Sequence, residues 1–134
     1  MCEEHFASAE ILQRAREVLA IEISALQALN DGLGEDFIKL VNLCLKTLAS
    51  GRKLVLCGVG KSGHISKKIA ATLASTGSRA IFLHPVEAMH GDLGEVSEED
   101  LMLAVSYSGE TDELLAVLPA VKRLGVTIVA VTGN

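Results

Sequence analysis

KLVLCGVGKSG, residues 53–63, joins an apolar run to a glycine-rich turn, and a helical pattern follows at once. The apolar run predicts a buried strand at 53–57, and the turn predicts a helix from about residue 62. Such a turn presents backbone N–H groups and the positive end of a helix dipole to an anion. Lys61 adds a full positive charge inside the turn. The stretch therefore predicts a site for a phosphorylated small molecule.

Short β-rich runs alternate with helical stretches along the rest of the chain. Strands are predicted at 53–57, 80–84, 101–106 and 127–132, and helices at about 62–76 and 111–124. Two amphipathic helices precede them, one ending near residues 30–32 and the other before Gly51. The alternation predicts an α/β fold, a three-layer αβα sandwich around a parallel sheet built by right-handed crossovers.

Two further expectations concern one of the connections and the end of the chain. Residues 85–100 contain two glycines and many acids, which predicts mostly loop with room for one short helix. The last strand is followed by two turn residues only, where a covering helix normally comes. We therefore expect residues 1–134 to form one domain that is incomplete at its C-terminal end.

Composition excludes several classes of protein. Hydrophobic residues make up 49% of the 134 residues and Trp is absent, which suits an aliphatic core of buried parallel strands. A net charge of −5 with scattered acids argues against a nucleic-acid partner. No apolar run approaches the roughly 20 residues that span a bilayer. Cys2, Cys44 and Cys57 share no close spacing, which predicts reduced thiols and a cytoplasmic protein.

The glycines at 58, 60 and 63 match the dinucleotide-binding fingerprint letter for letter. The acid expected at the end of the second strand is absent, because that strand ends Phe82-Leu83-His84. Lys61 would also lie close to the pyrophosphate path, and two helices precede the motif. A P-loop would need glycine at Val55. Dinucleotide binding therefore remains the less favoured alternative to a smaller phosphate ester.

A second turn, residues 106–111 (SYSGET), follows the third predicted strand. Ser106, Ser108 and Thr111 place three hydroxyls at the start of a helix, where they could bond phosphate oxygens beside the helix amides. The simpler alternative is that Ser108 or Thr111 caps the helix. Capping needs one hydroxyl, and three favour a ligand.

The third turn, residues 84–92 (HPVEAMHGD), carries two histidines with one acid between them and a second acid after them. Their spacing fits no standard zinc pattern, and no cysteine pair assists. We interpret His90 as a polar substrate contact or proton-transfer group, and His84 as an incidental metal ligand.

Taken together, the motifs resemble the arabinose 5-phosphate isomerases of the sugar isomerase (SIS) domain family. The resemblance runs through nearly the whole chain and rests on the stretches GVGKSGH (58–64), ASTG (74–77), HPVEAMHGDLG (84–94), SYSGETDE (106–113) and VTGN (131–134).

The resemblance implies an aldose–ketose isomerase that interconverts ribulose 5-phosphate and arabinose 5-phosphate, a step that supplies the lipopolysaccharide sugar Kdo. It implies no cofactor, a homotetramer with sites between subunits, and a flavodoxin-like sheet. The alternative is a non-catalytic SIS module that senses a sugar phosphate.

The resemblance also implies roles for individual residues. Lys61 and Glu113 match catalytic positions, and His90 joins them. The expected substrate contacts are Gly60, Ser62, Gly77, Ser78, His90, Ser106, Ser108 and Thr111. His84 matches a site of inhibitory zinc. A further Glu and a His of the family's site would lie beyond Asn134, so we expect little turnover from residues 1–134 alone.

Overall fold

The computed structural model of the chain describes residues 8–133. Helices and strands alternate in the predicted order, and the described chain divides into two compact units between Ile38 and Lys39. The helices are α1 (Ser8–Gly32), α2 (Glu35–Ala49), α3 (Gly60–Ser75), α4 (Pro85–Met89) and α5 (Asp112–Arg123), with a 3-10 turn at Asp92–Glu95. The strands are β1 (Leu54–Gly58), β2 (Ala80–Leu83), β3 (Leu101–Ser106) and β4 (Thr127–Thr132).

The four strands form one sheet in the order β2-β1-β3-β4. Every pairing is parallel, and Leu54 at the start of β1 lies between Ala80 and Leu101. β1 and β3 therefore occupy the centre, and each is followed by a helix that leads to an outer strand. The predicted parallel sheet is confirmed.

Alternate residues of the central strands point to opposite faces of the sheet, and both faces are covered. Val55 and Cys57 join a buried cluster with Val117 of α5 and Ala88 of α4. Leu54 and Leu56 join a second cluster with Ala70 of α3, against which Leu40, Cys44 and Leu48 of α2 pack. Helices thus flank the sheet on both sides, which confirms the three-layer αβα sandwich.

Helix α1 contains no buried residue. No helix within residues 8–133 is both long enough and apolar enough to cross a membrane.

Cys44 and Cys57 are free thiols, as predicted, and Cys2 lies outside the described residues. Burial raises the pKa of the Cys57 thiol to about 12, so this group is an inert part of the core.

The connection from β2 to β3 is more regular than predicted. It holds α4 and the 3-10 turn, where the sequence predicted room for one short helix. Pro85 stands at the start of α4, and His84 caps that helix by accepting a hydrogen bond at Nδ1 from the Val86 N–H, 3.3 Å away. Gly91, with φ of 138°, then separates the two turns.

At the amino edge of the sheet, Asp100 fastens the end of this connection to the start of β1. Its carboxylate lies 2.8 Å from Lys53 Nζ and accepts hydrogen bonds from the backbone N–H groups of Lys53 and Ser97. Burial alone would raise the pKa of Asp100, but these bonds and the Lys53 charge outweigh it and lower the pKa. The buried carboxylate is therefore held in its charged form.

Candidate anion-binding site at the carboxyl edge of the sheet

The turn between β1 and α3 depends on three glycines. Gly60 has φ of +56°, a conformation that side chains disfavour. A methyl group on Gly63 would lie 2.7 Å from the Gly58 carbonyl oxygen, and one on Gly58 would lie 3.0 Å from the Val105 carbonyl oxygen. The glycines thus let α3 start directly against the ends of β1 and β3, so their spacing has a packing explanation besides the dinucleotide one.

The first turn of α3 is open at its N-terminus. Val59, the N-cap residue, has extended backbone angles and makes no side-chain capping hydrogen bond. The first bond into the helix runs from the Gly63 N–H to the Val59 carbonyl, at 3.1 Å. The amides of the residues between them, Gly60 to Ser62, therefore have no acceptor within the helix and no side-chain cap from Val59. Lys61 is exposed and Ser62 is half-buried.

The loop after β3 is held in shape by its own hydroxyls. Ser106 is 3% exposed, and its Oγ lies 2.8 Å from Thr111 Oγ1. The same Oγ accepts a hydrogen bond from the Gly109 N–H at 3.1 Å, and Gly109 has φ of +74°. Ser108 is exposed, and its Oγ accepts from the Glu110 N–H. Residues 106–111, called the Ser106–Thr111 loop below, thus form a preorganised ring of polar groups.

Thr111 does not cap α5, although it occupies the N-cap position. It makes no side-chain capping hydrogen bond, because its hydroxyl is paired with Ser106. For Thr111, the simple capping interpretation is therefore wrong. The start of α5, like the start of α3, lacks a side-chain cap from its N-cap residue.

The two helix starts flank the same point of the sheet. Gly58 of β1 pairs with Val105 of β3, so the two strands end side by side. From there the chain runs outward to β2 through α3 and to β4 through α5. This reversal of strand order is the topological switch point at which open α/β sheets bind ligands. Two positive helix ends and three hydroxyls at this point can bind a phosphate.

Gly77 and Ser78 lie at the other edge of the sheet. They end α3 in a Schellman motif, in which the Ser78 N–H bonds the Leu73 carbonyl and the Gly77 N–H bonds the Ala74 carbonyl. Helix α3 has 16 residues and so a length of about 24 Å. The structure therefore does not bring Gly77 and Ser78 together with the other predicted contacts within one chain.

The remaining predicted residues lie at or near the carboxyl edge. Glu113 is exposed in the first turn of α5, beside Asp112, where acids interact favourably with the helix dipole. His90 is exposed at the end of α4. His84 directly follows β2 and is half-buried.

Metal binding finds little support in the arrangement of these side chains. No group of three or more His, Cys, Asp or Glu side chains within residues 8–133 could hold a metal ion. Because His84 Nδ1 accepts from the Val86 N–H, the neutral ring carries its proton on Nε2. A metal at Nε2 would have to displace that proton, so zinc binding at His84 stays a prediction.

Sequence reasoning missed a cavity between α3 and β2. It has a volume of about 370 Å³ and is called the α3–β2 cavity below. Its lining residues are Gly60, Gly63, His64, Lys67, Phe82 and His84. The Phe82 and His84 rings meet edge to face, with centroids 6.4 Å apart. The spacing of three and four residues between positions 60, 63, 64 and 67 was the signal that could have found it.

Comparisons of the sequence with known proteins identify its relatives. The family profile described as "SIS domain" matches residues 47–134. Arabinose 5-phosphate isomerase KdsD of Pseudomonas aeruginosa is 45% identical over 93% of the chain, and arabinose 5-phosphate isomerase GutQ of Escherichia coli K12 is 44% identical over 95%. The chain spans only 37% and 39% of the lengths of these relatives.

A solved structure also matches the fold of the chain. An Escherichia coli CFT073 protein in complex with arabinose 5-phosphate superposes with a TM-score of 0.89 at 36% sequence identity. The match covers 96% of this chain and 67% of that one.

Proposed function

The chain belongs to the SIS domain family, and from this premise we propose that it acts in an arabinose 5-phosphate isomerase. The reaction is the interconversion of D-arabinose 5-phosphate and D-ribulose 5-phosphate. The observation that carries the proposal is the pair of helix starts whose N-cap residues provide no side-chain cap, beside the Ser106–Thr111 loop at the switch point of the sheet. The names of the relatives and the sugar phosphate bound to the structural neighbour support the same substrate.

The phosphate of the substrate binds the hydroxyls of Ser106, Ser108 and Thr111. Ser106 and Thr111 share one hydrogen bond, which either oxygen can donate, so the pair can turn a donor toward the ligand. The amides at the start of α3, including those of Gly60 and Ser62, supply further donors. A dianionic phosphate gains from both helix dipoles at once.

The chemistry moves a carbonyl between C1 and C2 of the open-chain sugar. A base takes the C2 proton of the aldose, and the electron pair of that C–H bond forms the C1–C2 double bond of an enediolate. The proton on O2 is then transferred to O1, and return of the abstracted proton to C1 gives the ketose. Glu113 is our candidate for proton transfer, and Lys61 stabilises the negative oxygen. His90 orients a sugar hydroxyl.

The assembly we propose is a cytoplasmic homotetramer with sites between subunits, acting without a cofactor in the supply of Kdo for lipopolysaccharide. The positions of Gly77 and Ser78 support shared sites. Because they lie about one length of α3 from the carboxyl edge, they can line the sugar only if another copy of the chain supplies them.

The proposal is tested by calorimetry with arabinose 5-phosphate, ribulose 5-phosphate and NAD, followed by an assay for interconversion of the two sugars. Both pentose phosphates should bind and NAD should not. Binding of NAD alone would replace the proposal by the dinucleotide alternative. Sugar-phosphate binding without isomerisation, in protein of the relatives' full length, would indicate the non-catalytic sensor.

A further inference from the structure

The side of α3 that lines the α3–β2 cavity differs from the side that carries Lys61. Successive residues of a helix are rotated by about 100°. The four helical residues that line the cavity therefore fall within an arc of about 100°, and they are Gly60, Gly63, His64 and Lys67. Lys61 and Ser62 lie outside that arc. The cavity therefore adjoins the start of α3 through Gly60, but its basic side chains lie on a different side of the helix from Lys61.

The lining of the cavity is basic. Three of its six residues, His64, Lys67 and His84, have nitrogen side chains that can carry positive charge, and none of the six has a carboxylate. The whole chain has a net charge of −5. A concave site whose ionisable groups are all basic, within an acidic protein, concentrates positive potential where an anion can enter.

The side chains that line the cavity also offer hydrogen-bond donors, which an anion requires. Lys67 offers three donors and no acceptor. Because His84 Nδ1 already accepts the Val86 N–H, its Nε2 remains as a donor. A metal cation needs acceptors, which these two groups do not offer, whereas the oxygens of a phosphate or carboxylate match them.

The size and the walls of the cavity fit a small organic molecule. A volume of about 370 Å³ falls within the range of roughly 300–1,000 Å³ that is usual for small-molecule sites. Phe82 adds an aromatic wall, held against His84. This wall suits the carbon skeleton of a metabolite.

We propose that the α3–β2 cavity is a second anion site, which binds the phosphate or carboxylate group of a small organic acid through Lys67, His64 and His84. It is distinct from the Ser106–Thr111 loop. Strand β1 lies between β2 and β3, so the ends of those two strands are about 10 Å apart and one phosphate group cannot contact both. The proposal concerns binding and does not depend on the isomerase reaction.

The test is an NMR titration of the chain with inorganic phosphate and, separately, with malonate at constant ionic strength. Saturable shifts are expected in the amides of residues 63–67 and 82–84 with at least one of the two anions. Lys67→Gln should weaken this binding at least tenfold, the effect of about one lost charged hydrogen bond. Lys68→Gln is the matched control, because Lys68 is the next residue, is exposed and does not line the cavity.

A second variant separates the two anion sites. In Ser106→Ala the shifts at the cavity should persist, while those of the Ser106–Thr111 loop weaken. Equal anion affinity in Lys67→Gln and Lys68→Gln would overturn the proposal, and so would the absence of saturable shifts at the cavity. Loss of the cavity shifts in a folded Ser106→Ala protein would also overturn it, because the two regions would then form one site. Circular dichroism melting confirms that each variant is folded.

Discussion

The two edges of the sheet use polar groups in opposite ways. At the amino edge, the carboxylate of Asp100 accepts three hydrogen bonds from within the protein, and the end of α3 is closed by a Schellman motif. At the carboxyl edge, the N-cap residues of α3 and α5 both leave their helices without a side-chain cap. The same helix, α3, is therefore closed at one end and open at the other.

This difference between the two edges indicates that the amino edge serves stability and the carboxyl edge serves binding. A buried polar group with all its partners in place holds the fold together, and losing one partner is costly because the other is left unpaired. Helix amides without side-chain caps add little to stability but remain available to a ligand. We therefore expect substitutions at the amino edge to have the largest effects on stability, and substitutions of exposed side chains at the carboxyl edge to change binding or rate.

The largest effect is expected for Asp100→Ala. It removes the acceptor of two backbone N–H groups and leaves Lys53, whose side chain is 22% exposed, without its partner. The free energy of unfolding should fall by about 3 kcal/mol, the lower part of the range for a broken buried ion pair, because Lys53 can reach water. Urea unfolding measures this. A loss below about 1 kcal/mol would show that the amino edge does not hold the fold.

The pH dependence of unfolding provides the control for Asp100→Ala. Because the pKa of Asp100 is lowered in the folded protein, its contribution to stability is present above its ordinary pKa of about 4 and is lost as the pH falls through the folded pKa. Unfolding free energies between pH 7 and pH 2 should therefore fall less steeply in Asp100→Ala than in the natural chain. Parallel pH profiles would mean that another group causes the acid sensitivity.

The second effect concerns the carboxyl edge. Lys61 is exposed in the first turn of α3, so Lys61→Ala should leave the melting temperature almost unchanged. If Lys61 stabilises the enediolate, kcat/KM for arabinose 5-phosphate, measured in protein of the relatives' full length, should fall about a hundredfold, which corresponds to about 2.7 kcal/mol. Lys68→Ala, on the exposed surface of the same helix, is the matched control. Near-normal turnover by Lys61→Ala would remove this residue from the mechanism.

The fold was largely predictable, because its signals are local. The bounds of β3 and β4 were predicted to the residue, and those of α3 within two residues, since apolar runs and glycine turns mark where each element begins and ends. The region 85–100 was predicted less well. Its first helix depends on a cap by His84, and histidine is not among the usual capping residues.

The candidate site was predictable only in part, because motifs report residues and not distances. The Ser106–Thr111 loop was recognised from three nearby hydroxyls. Gly77 and Ser78 were predicted to contact the substrate. They lie at the amino edge of the sheet instead, because a helix of 16 residues separates them from the turn at Gly60. His64 and Lys67 were missed, because their cavity is completed by β2, which follows only after the whole of α3.

A smaller effect is expected where the carboxyl edge depends on close packing. Gly63→Ala places a methyl group 2.7 Å from the backbone oxygen of Gly58, so α3 must shift away from β1. We expect a loss of about 1–2 kcal/mol, because overpacking is partly offset by the better helix propensity of alanine. Gly94→Ala is the control, since nothing lies within 4 Å of the added methyl. Equal stability of the two variants would show that this approach of helix and strand is not tight.

The smallest effect is expected for Ser66, which is fully buried in α3 and whose Oγ has no hydrogen-bond partner within residues 8–133. A buried hydroxyl without a partner costs free energy, so Ser66→Ala should leave stability unchanged or raise it by up to about 1 kcal/mol. Ser106→Ala makes the matched comparison, because that hydroxyl is also buried but bonds both Thr111 and Gly109. It should cost about 1–2 kcal/mol. If thermal melting instead shows that Ser66→Ala is the more damaging change, then the Ser66 hydroxyl has a partner in solution, and the carboxyl edge is better satisfied than its contacts within residues 8–133 indicate.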